Sequence, residues 1–257
     1  MIDLLDVTFM IPTRIESEDR KNNLTIVVDY LIKHFNTNII ICEQDSTEKV
    51  TSFFKPNWKP NCKHVFLKSD STLFHKTRCL NVMTKMSTTP IVVSFDSDIL
   101  FPINQLVESR DIIKNKTDFF VYPFNTRLYH IEKPLIPTIK RTLDLNSIGS
   151  HTTCRHLGLP PGGAFFMDKA MFYQCGLENE NFLSWGPEDQ ERAYRVKKLG
   201  FNIRNVEGPI FHLDHERTPN SNHQHSQYER NQSEFKKIQS YSVQQLRNYI
   251  GTWPWTR

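Results

Sequence analysis

The chain has 257 residues, 38% of them hydrophobic and 23% charged, with a formal net charge of +4. That length holds one large α/β domain or two small ones with a sizeable buried core, and that composition excludes a disordered, collagen-like or low-complexity chain. The basic charge is mild and dispersed, without a long cationic run, an RNA-binding signature or zinc-finger spacing, so no nucleic-acid partner is expected; it suits phosphate-bearing donors, acidic glycans or peripheral contact with an anionic membrane face.

No window approaches the roughly 18 apolar residues of a membrane span. The opening MIDLLDVTFMIPTR lacks the basic start, long apolar stretch and small-residue cleavage site of a signal peptide. Five cysteines (Cys42, Cys62, Cys79, Cys154, Cys175) are odd in number and show no CxxC spacing. Free thiols in a reducing compartment follow, which places the protein in the cytoplasm or at the inner face of the membrane.

Taken in chain order, short apolar runs alternate with helical patterns, the rhythm of a mainly parallel buried sheet. Val7 to Ile11 reads as a first strand stopped by Pro12. Leu24, Val27, Val28, Leu31, Ile32 and Phe35 recur at helical spacing. Ile39 to Cys42 and His64 to Leu67 read as the next strands, residues 72–86 as a helix, and Ile91 to Phe95 as a fourth strand running into Asp96-Ser97-Asp98. Phe119 to Tyr122 gives a fifth. From Pro123 to Pro161 five prolines and weak periodicity predict a long irregular excursion. Strand character returns at Gly163 to Met167, a helix spans Pro187 to Leu199, and Phe201 to Val206 and Ile210 to Leu213 read as closing strands. Residues 218–235 are polar and read as a mobile loop. The expectation is a lid that closes over bound donor or, equally on composition, a linker to a final helix at about 233–249.

Four groups of residues carry chemistry on this frame. Asp96-Ser97-Asp98 puts two carboxylates at the C-terminal end of a buried parallel strand, where open α/β sheets bind ligands, and a hard divalent cation on diphosphate oxygens is their natural partner; a solvated loop or helix cap is the alternative. Trp185-Gly186-Pro187-Glu188-Asp189 opens a helix with a flat apolar ring beside two carboxylates, as sugar binding requires; an ordinary helix start is the alternative. His212-Leu213-Asp214-His215 ends a strand with groups spaced to converge on a metal, or forms a histidine-bearing surface loop. Pro12-Thr13-Arg14, Arg20, Lys21, Asp45, His75, Lys76 and Arg78 all fall at one edge of the predicted sheet, where a nucleotide diphosphate would lie.

In this order the pieces resemble a known group. Ile11-Pro12-Thr13-Arg14 through Asp98 is similar to the nucleotide-binding half of family-two-type GT-A glycosyltransferases. Gly162-Gly163, Trp185-Gly186-Pro187-Glu188-Asp189 and His215-Glu216-Arg217 are similar to the C-terminal half shared by β-1,4-galactosyltransferases, polypeptide N-acetylgalactosaminyltransferases and bacterial chondroitin-type polymerases. The resemblance covers about residues 5–217. It implies a GT-A, Rossmann-like α/β fold: a mixed, mainly parallel sheet flanked by helices in a single domain over 1–217. Residues 1–100 form the nucleotide-binding half and 101–217 the acceptor half, and 218–257 form a loop, a C-terminal helix and a tail. By position, Asp98 and His215 would ligate Mn2+ (or Mg2+), with Asp96 on the ribose or the metal. His212 stands where galactosyltransferases carry a methionine ligand. Pro12, Thr13, Arg14, Asp45, Arg78 and Gly163 would hold the donor, Asp189 would be the catalytic base, and Trp185 and Glu188 would contact the acceptor. Pro187 replaces a common glycine.

The implied activity is Mn2+-dependent, inverting transfer of a hexose or N-acetylhexosamine, galactose or N-acetylgalactosamine favoured. The donor would be a UDP-sugar and the acceptor an oligosaccharide or lipid-linked glycan, as in bacterial surface polysaccharide synthesis. Two other classes compete. A haloacid-dehalogenase-like phosphohydrolase also places DxD after a buried strand, but there the motif opens the domain and its fifth position is Thr or Val, where this chain has Leu100. A glycan-binding module without catalysis would not need Asp98, Asp189 and His215.

Overall fold

The computed structural model of the chain describes residues 1–125, 127–148, 153–156 and 162–256. In chain order the elements are β1 (Ile2–Thr13), α1 (Glu18–His34), β2 (Phe35–Asp45), β3 (Cys62–Lys68), α2 (Lys76–Met86), β4 (Ile91–Phe95), β5 (Ile99–Leu100), α3 (Ile103–Lys114), β6 (Phe120–Tyr122), β7 (Arg127–Ile131), α4 (Ile136–Thr142), β8 (Thr153–His156), β9 (Ala164–Asp168), α5 (Lys169–Gln174), α6 (Glu188–Lys198), β10 (Arg204–Asn205), β11 (Ile210–Leu213), α7 (Tyr228–Ser240) and α8 (Val243–Gly251). Short 3-10 turns lie between several of them.

Seven strands form the main sheet in the order β10-β6-β9-β4-β1-β2-β3. β9 runs antiparallel to both its neighbours, and the remaining pairs are parallel, so the sheet is mixed and mainly parallel. Helices cover both faces, and the central strands are accordingly apolar on both sides: all of Ile91–Phe95 and everything from Val7 to Thr13 is buried. Each such Val, Phe or Ile contributes about 1.5–3 kcal/mol by leaving water. α1 starts where Ser17 accepts from the Arg20 backbone N–H at 3.3 Å, and it buries Leu24, Val27, Val28 and Leu31.

Pro12 does not stop the first strand, which runs on to Thr13 beside β2. β4 pairs with β1 only as far as Met10, so the missing N–H at Pro12 falls beyond that ladder. Phe35 opens β2 rather than closing α1. The segment after Pro123 is less irregular than its composition suggests: it supplies β7, α4 and β8, and β7 and β8 join β5 and β11 in a second sheet of order β5-β11-β7-β8. β7 is mostly half-buried or exposed, which hides it from periodicity. The expected strand Phe201–Val206 shrinks to Arg204–Asn205.

The polar stretch 218–235 departs most from expectation. α7 begins at Tyr228, and the expected single final helix is two, divided at Tyr241 with Ser242 capping α8. Asn220 orders the stretch before them. Its Oδ1 accepts from Phe74 N and Ser184 Oγ, both at 2.8 Å, and its Nδ2 donates to Glu16 Oε1 at 2.8 Å and Thr72 O at 2.9 Å. No described helix is long and apolar enough to cross a membrane. Cys42, Cys62, Cys79 and Cys175 are buried free thiols, and the Cys154 side chain lies outside the described residues.

Candidate active site

Parallel β1, β2 and β4 end at Thr13, Asp45 and Phe95, and their C-terminal ends open on one edge, where a cleft of about 330 Å3 lies. Pro12, Thr13, Arg14, Asp96, Asp98, Gly163, Trp185, Glu188, Asp189, His212 and His215 all line it. Asp45 and Arg78 do not. Asp45 stands behind the wall, holding Arg14 at 3.4 Å and Lys49 at 2.7 Å, and Arg78 is exposed on α2.

One end of the cleft gathers Asp98, His212 and His215, whose ligand atoms all lie within 4.8 Å of one another. Backbone pairing creates this meeting. β5 and β11 are antiparallel with His212 opposite Ile99, and Leu213 N donates to Asp98 O at 2.8 Å. Asn23 of α1 pins the turn after β11 by donating to the carbonyls of Leu213 and Asp214. Asp98 Oδ2 lies 2.6 Å from Arg20 Nη1, 3.2 Å from His215 Nε2 and 3.9 Å from His212 Nε2. Burial opposes ionisation of Asp98, but His212, His215 and Arg20 outweigh it and hold the carboxyl well below the usual range. Burial pushes His212 down to about 4, so its imidazole is neutral at pH 7. His215 Nδ1 lies 2.7 Å from Glu216 O. That contact makes Nδ1 the donor and turns Nε2 toward Asp98, the arrangement usual behind metal-bound histidines. His212 Nδ1 is buried without a hydrogen-bond partner among the described residues, so no structural role commits that ring. One carboxylate and two imidazoles make a donor set that fits a divalent transition metal.

At the other end, Glu188 and Asp189 open α6. Asp189 Oδ1 accepts from Arg192 Nη2 at 2.7 Å, and its Oδ2 lies 3.4 Å from Lys76 Nζ. Burial alone would raise the Asp189 carboxyl, yet the two cations keep it below its ordinary value. Glu188, 3.9 Å from Lys76, has a buried Oε2 with no hydrogen-bond partner among the described residues; burial and the neighbouring Asp189 push its carboxyl up to about 8. Lys76 also reaches Asp96 at 3.0 Å, so one ammonium serves three carboxylates. Asp96 is itself raised by burial against the pull of Lys76. Arg192 extends the network inward to Glu178 at 2.7 Å and stacks over Phe165.

Two glycines let these ends approach each other. Gly163 has φ +96°, and a Cβ there would stand 2.6 Å from Ile210; its carbonyl accepts from Asp96 N at 2.9 Å. A Cβ on Gly162 would come within 3.0 Å of Asp189 Oδ2. Ser184 adopts φ +61° without being glycine, held by its N–H on Phe74 O and its hydroxyl on Asn220, and this turn presents the half-exposed Trp185 at the rim. Tyr228 stacks on Trp185, with centroids 6.0 Å apart and an interplanar angle of 15°.

Sequence patterns found both ends of the cleft but not what lies between them. Arg20 and Lys76 stood out only as charges at the sheet edge. Arg192, Glu16 and Asn220 gave no signal, because a charge or amide inside a polar helix or loop reads as solvated until the fold turns it inward.

No family model matches the sequence, and no curated protein matches it. Solved structures do. GalNAc-T7 with UDP, GalNAc and Mn2+ superposes with a TM-score of 0.62 at 12% identity, covering 91% of this chain and 48% of that one. The mannosyltransferase PcManGT from Pyrobaculum calidifontis, with GDP-Man and Mn2+, superposes with a TM-score of 0.50 at 15% identity, covering 82% and 58%. The chain therefore spans about half the length of the first and under two thirds of the second. Sheet order, the cleft at the strand ends and these likenesses agree on the architecture: the chain is built on the GT-A glycosyltransferase fold.

Proposed function

We propose that this chain is a divalent-metal-dependent glycosyltransferase that moves a hexose or N-acetylhexosamine from a UDP-sugar to a glycan hydroxyl with inversion. Residues 1–217 would form the catalytic unit and 218–257 would brace it. The observation that carries the reading is the pairing, in one cleft, of the Asp98–His212–His215 cluster with the carboxylate pair beside Trp185.

Asp98, His212 and His215 would hold the cation, which supplies Lewis-acid neutralisation of the departing diphosphate. Mn2+ is favoured over Mg2+ by the two imidazoles, and both similar structures contain Mn2+. Arg14 and Arg20 add positive charge along the same wall. Trp185 offers the acceptor sugar a flat apolar face, held in place by Tyr228. Asp189, ionised and clamped by Arg192 and Lys76, accepts the acceptor hydroxyl proton as the new bond forms. Glu188, protonated at neutral pH, donates a hydrogen bond from the carboxyl, whose Oε2 has no hydrogen-bond partner among the described residues. Adjacent carboxyls with oppositely displaced affinities for a proton divide such roles.

Asp96 would be the nucleophile of a dehalogenase-type phosphohydrolase. Burial favours its protonated form and Lys76 ties it down, which makes it a poor nucleophile. A screen of UDP-Gal, UDP-GalNAc, UDP-GlcNAc, UDP-Glc and UDP-GlcA tests the donor. One or two should raise the melting temperature only when Mn2+ is present, and a flat response to all five would refute a UDP-sugar site.

A further inference from the structure

Asp98 Oδ2 is already engaged by a cation of this chain. Arg20 donates to it from Nη1 at 2.6 Å, while His215 Nε2 approaches the same atom at 3.2 Å and His212 Nε2 at 3.9 Å. The Arg20 side chain is only 15% exposed, and it leaves the first turn of α1, where Ser17 fixes the backbone. Among the described residues Asp98 is the one acceptor of its guanidinium, so its other N–H groups are open to a second anion. Arg14 differs: it is already committed to Asp45 at 3.4 Å and to Ser71 O at 2.9 Å.

A divalent cation arriving alone must contend with this guanidinium for Oδ2 and against its charge. A diphosphate arriving with the cation changes the balance, because a planar fork of N–H donors matches phosphate oxygens and Arg20 lines the same cleft. We propose that Arg20 is a resident counter-ion of Asp98 that transfers to the diphosphate of the nucleotide, so that cation and nucleotide bind cooperatively. This rests on the nucleotide-sugar reading of the cleft. Free protein then keeps Asp98 neutralised without a cation, and the cation site is completed only when a diphosphate draws Arg20 away. Coupling of this kind is reciprocal: whatever UDP does for the cation, the cation does for UDP.

Mn2+ binding to the full chain, read as loss of the free-ion electron paramagnetic resonance signal with and without UDP, tests the proposal in the wild type, Arg20→Gln and Arg20→Lys. In the wild type UDP should tighten Mn2+ binding by about tenfold or more, inside the ordinary range for coupled sites. Arg20→Gln should bind Mn2+ alone about tenfold tighter than wild type and gain little from UDP, a loss of coupling typical of removing the linking group. Arg20→Lys keeps the charge but not the fork and should fall between; it carries the contrast if Arg20→Gln does not fold. Wild-type affinity and wild-type coupling in the variants would overturn the proposal and leave the transferase reading standing. Failure of the wild type to bind Mn2+ even with UDP would overturn both.

Discussion

Glu188 and Asp189 are neighbours in sequence with opposite electrostatic surroundings. Asp189 has a cation on each oxygen, whereas Glu188 has one distant ammonium and a buried oxygen without a hydrogen-bond partner among the described residues. Glu188 keeps its proton in the folded chain up to about pH 8, against 4.5 for an ordinary glutamate. The stability it contributes is therefore complete below about pH 4.5 and lost as pH rises to about 8. Melting temperatures between pH 5 and 9 should fall more steeply for the wild type than for Glu188→Gln, and parallel curves would mean that Glu188 is already ionised. Asp189→Asn keeps the shape and removes the proton acceptor, so turnover should fall by about 10²–10⁴-fold with donor affinity little changed. At this scale the sequence was informative wherever a motif states its own geometry: DxD after a buried strand, Trp-Gly-Pro-Glu-Asp before a helix. It was silent on Lys76 as the shared counter-ion of Asp96, Glu188 and Asp189, because those partners come from two other segments of the chain.

α6 shows how an element can carry a site on one end and anchor it with the next turn. Glu188 and Asp189 face the cleft, and one turn on Arg192 lies fully buried between Asp189 and Glu178. Arg192→Ala leaves Glu178 without its cation and Asp189 with Lys76 alone, which should cost about 3–5 kcal/mol in denaturant unfolding. Loss of under about 1 kcal/mol would mean that the pair is solvated, as surface pairs are. Strands and helices of the main sheet were legible because their apolar residues repeat at the right period and are buried as expected. The polar stretch after His215 was not. Its order comes from Asn220 bonding to Glu16, Thr72, Phe74 and Ser184, partners at least 36 positions away. Composition predicts burial of apolar surface and is blind to that kind of cross-bracing.

At the scale of the whole molecule, the C-terminal residues close the core beneath α6. Ile238, Leu246, Ile250 and Trp253 join the central hydrophobic cluster, and Arg195, itself bonded to Glu191 at 2.6 Å, lies over the Trp253 ring. The tail gave no reading in sequence because its function is packing against an element some fifty positions earlier. Trp253→Ala should cost about 3–5 kcal/mol and lower activity only through loss of folded protein. The central claim, metal-dependent transfer of a sugar from its nucleotide at this cleft, meets its most direct test in UDP release from the five UDP-sugars with Mn2+ and no acceptor. Slow release from one or two of them, abolished by EDTA and in folded Asp98→Ala, is the predicted result. Release that persists in EDTA and in Asp98→Ala, or none from any donor while generic phosphate esters are cleaved, would contradict it.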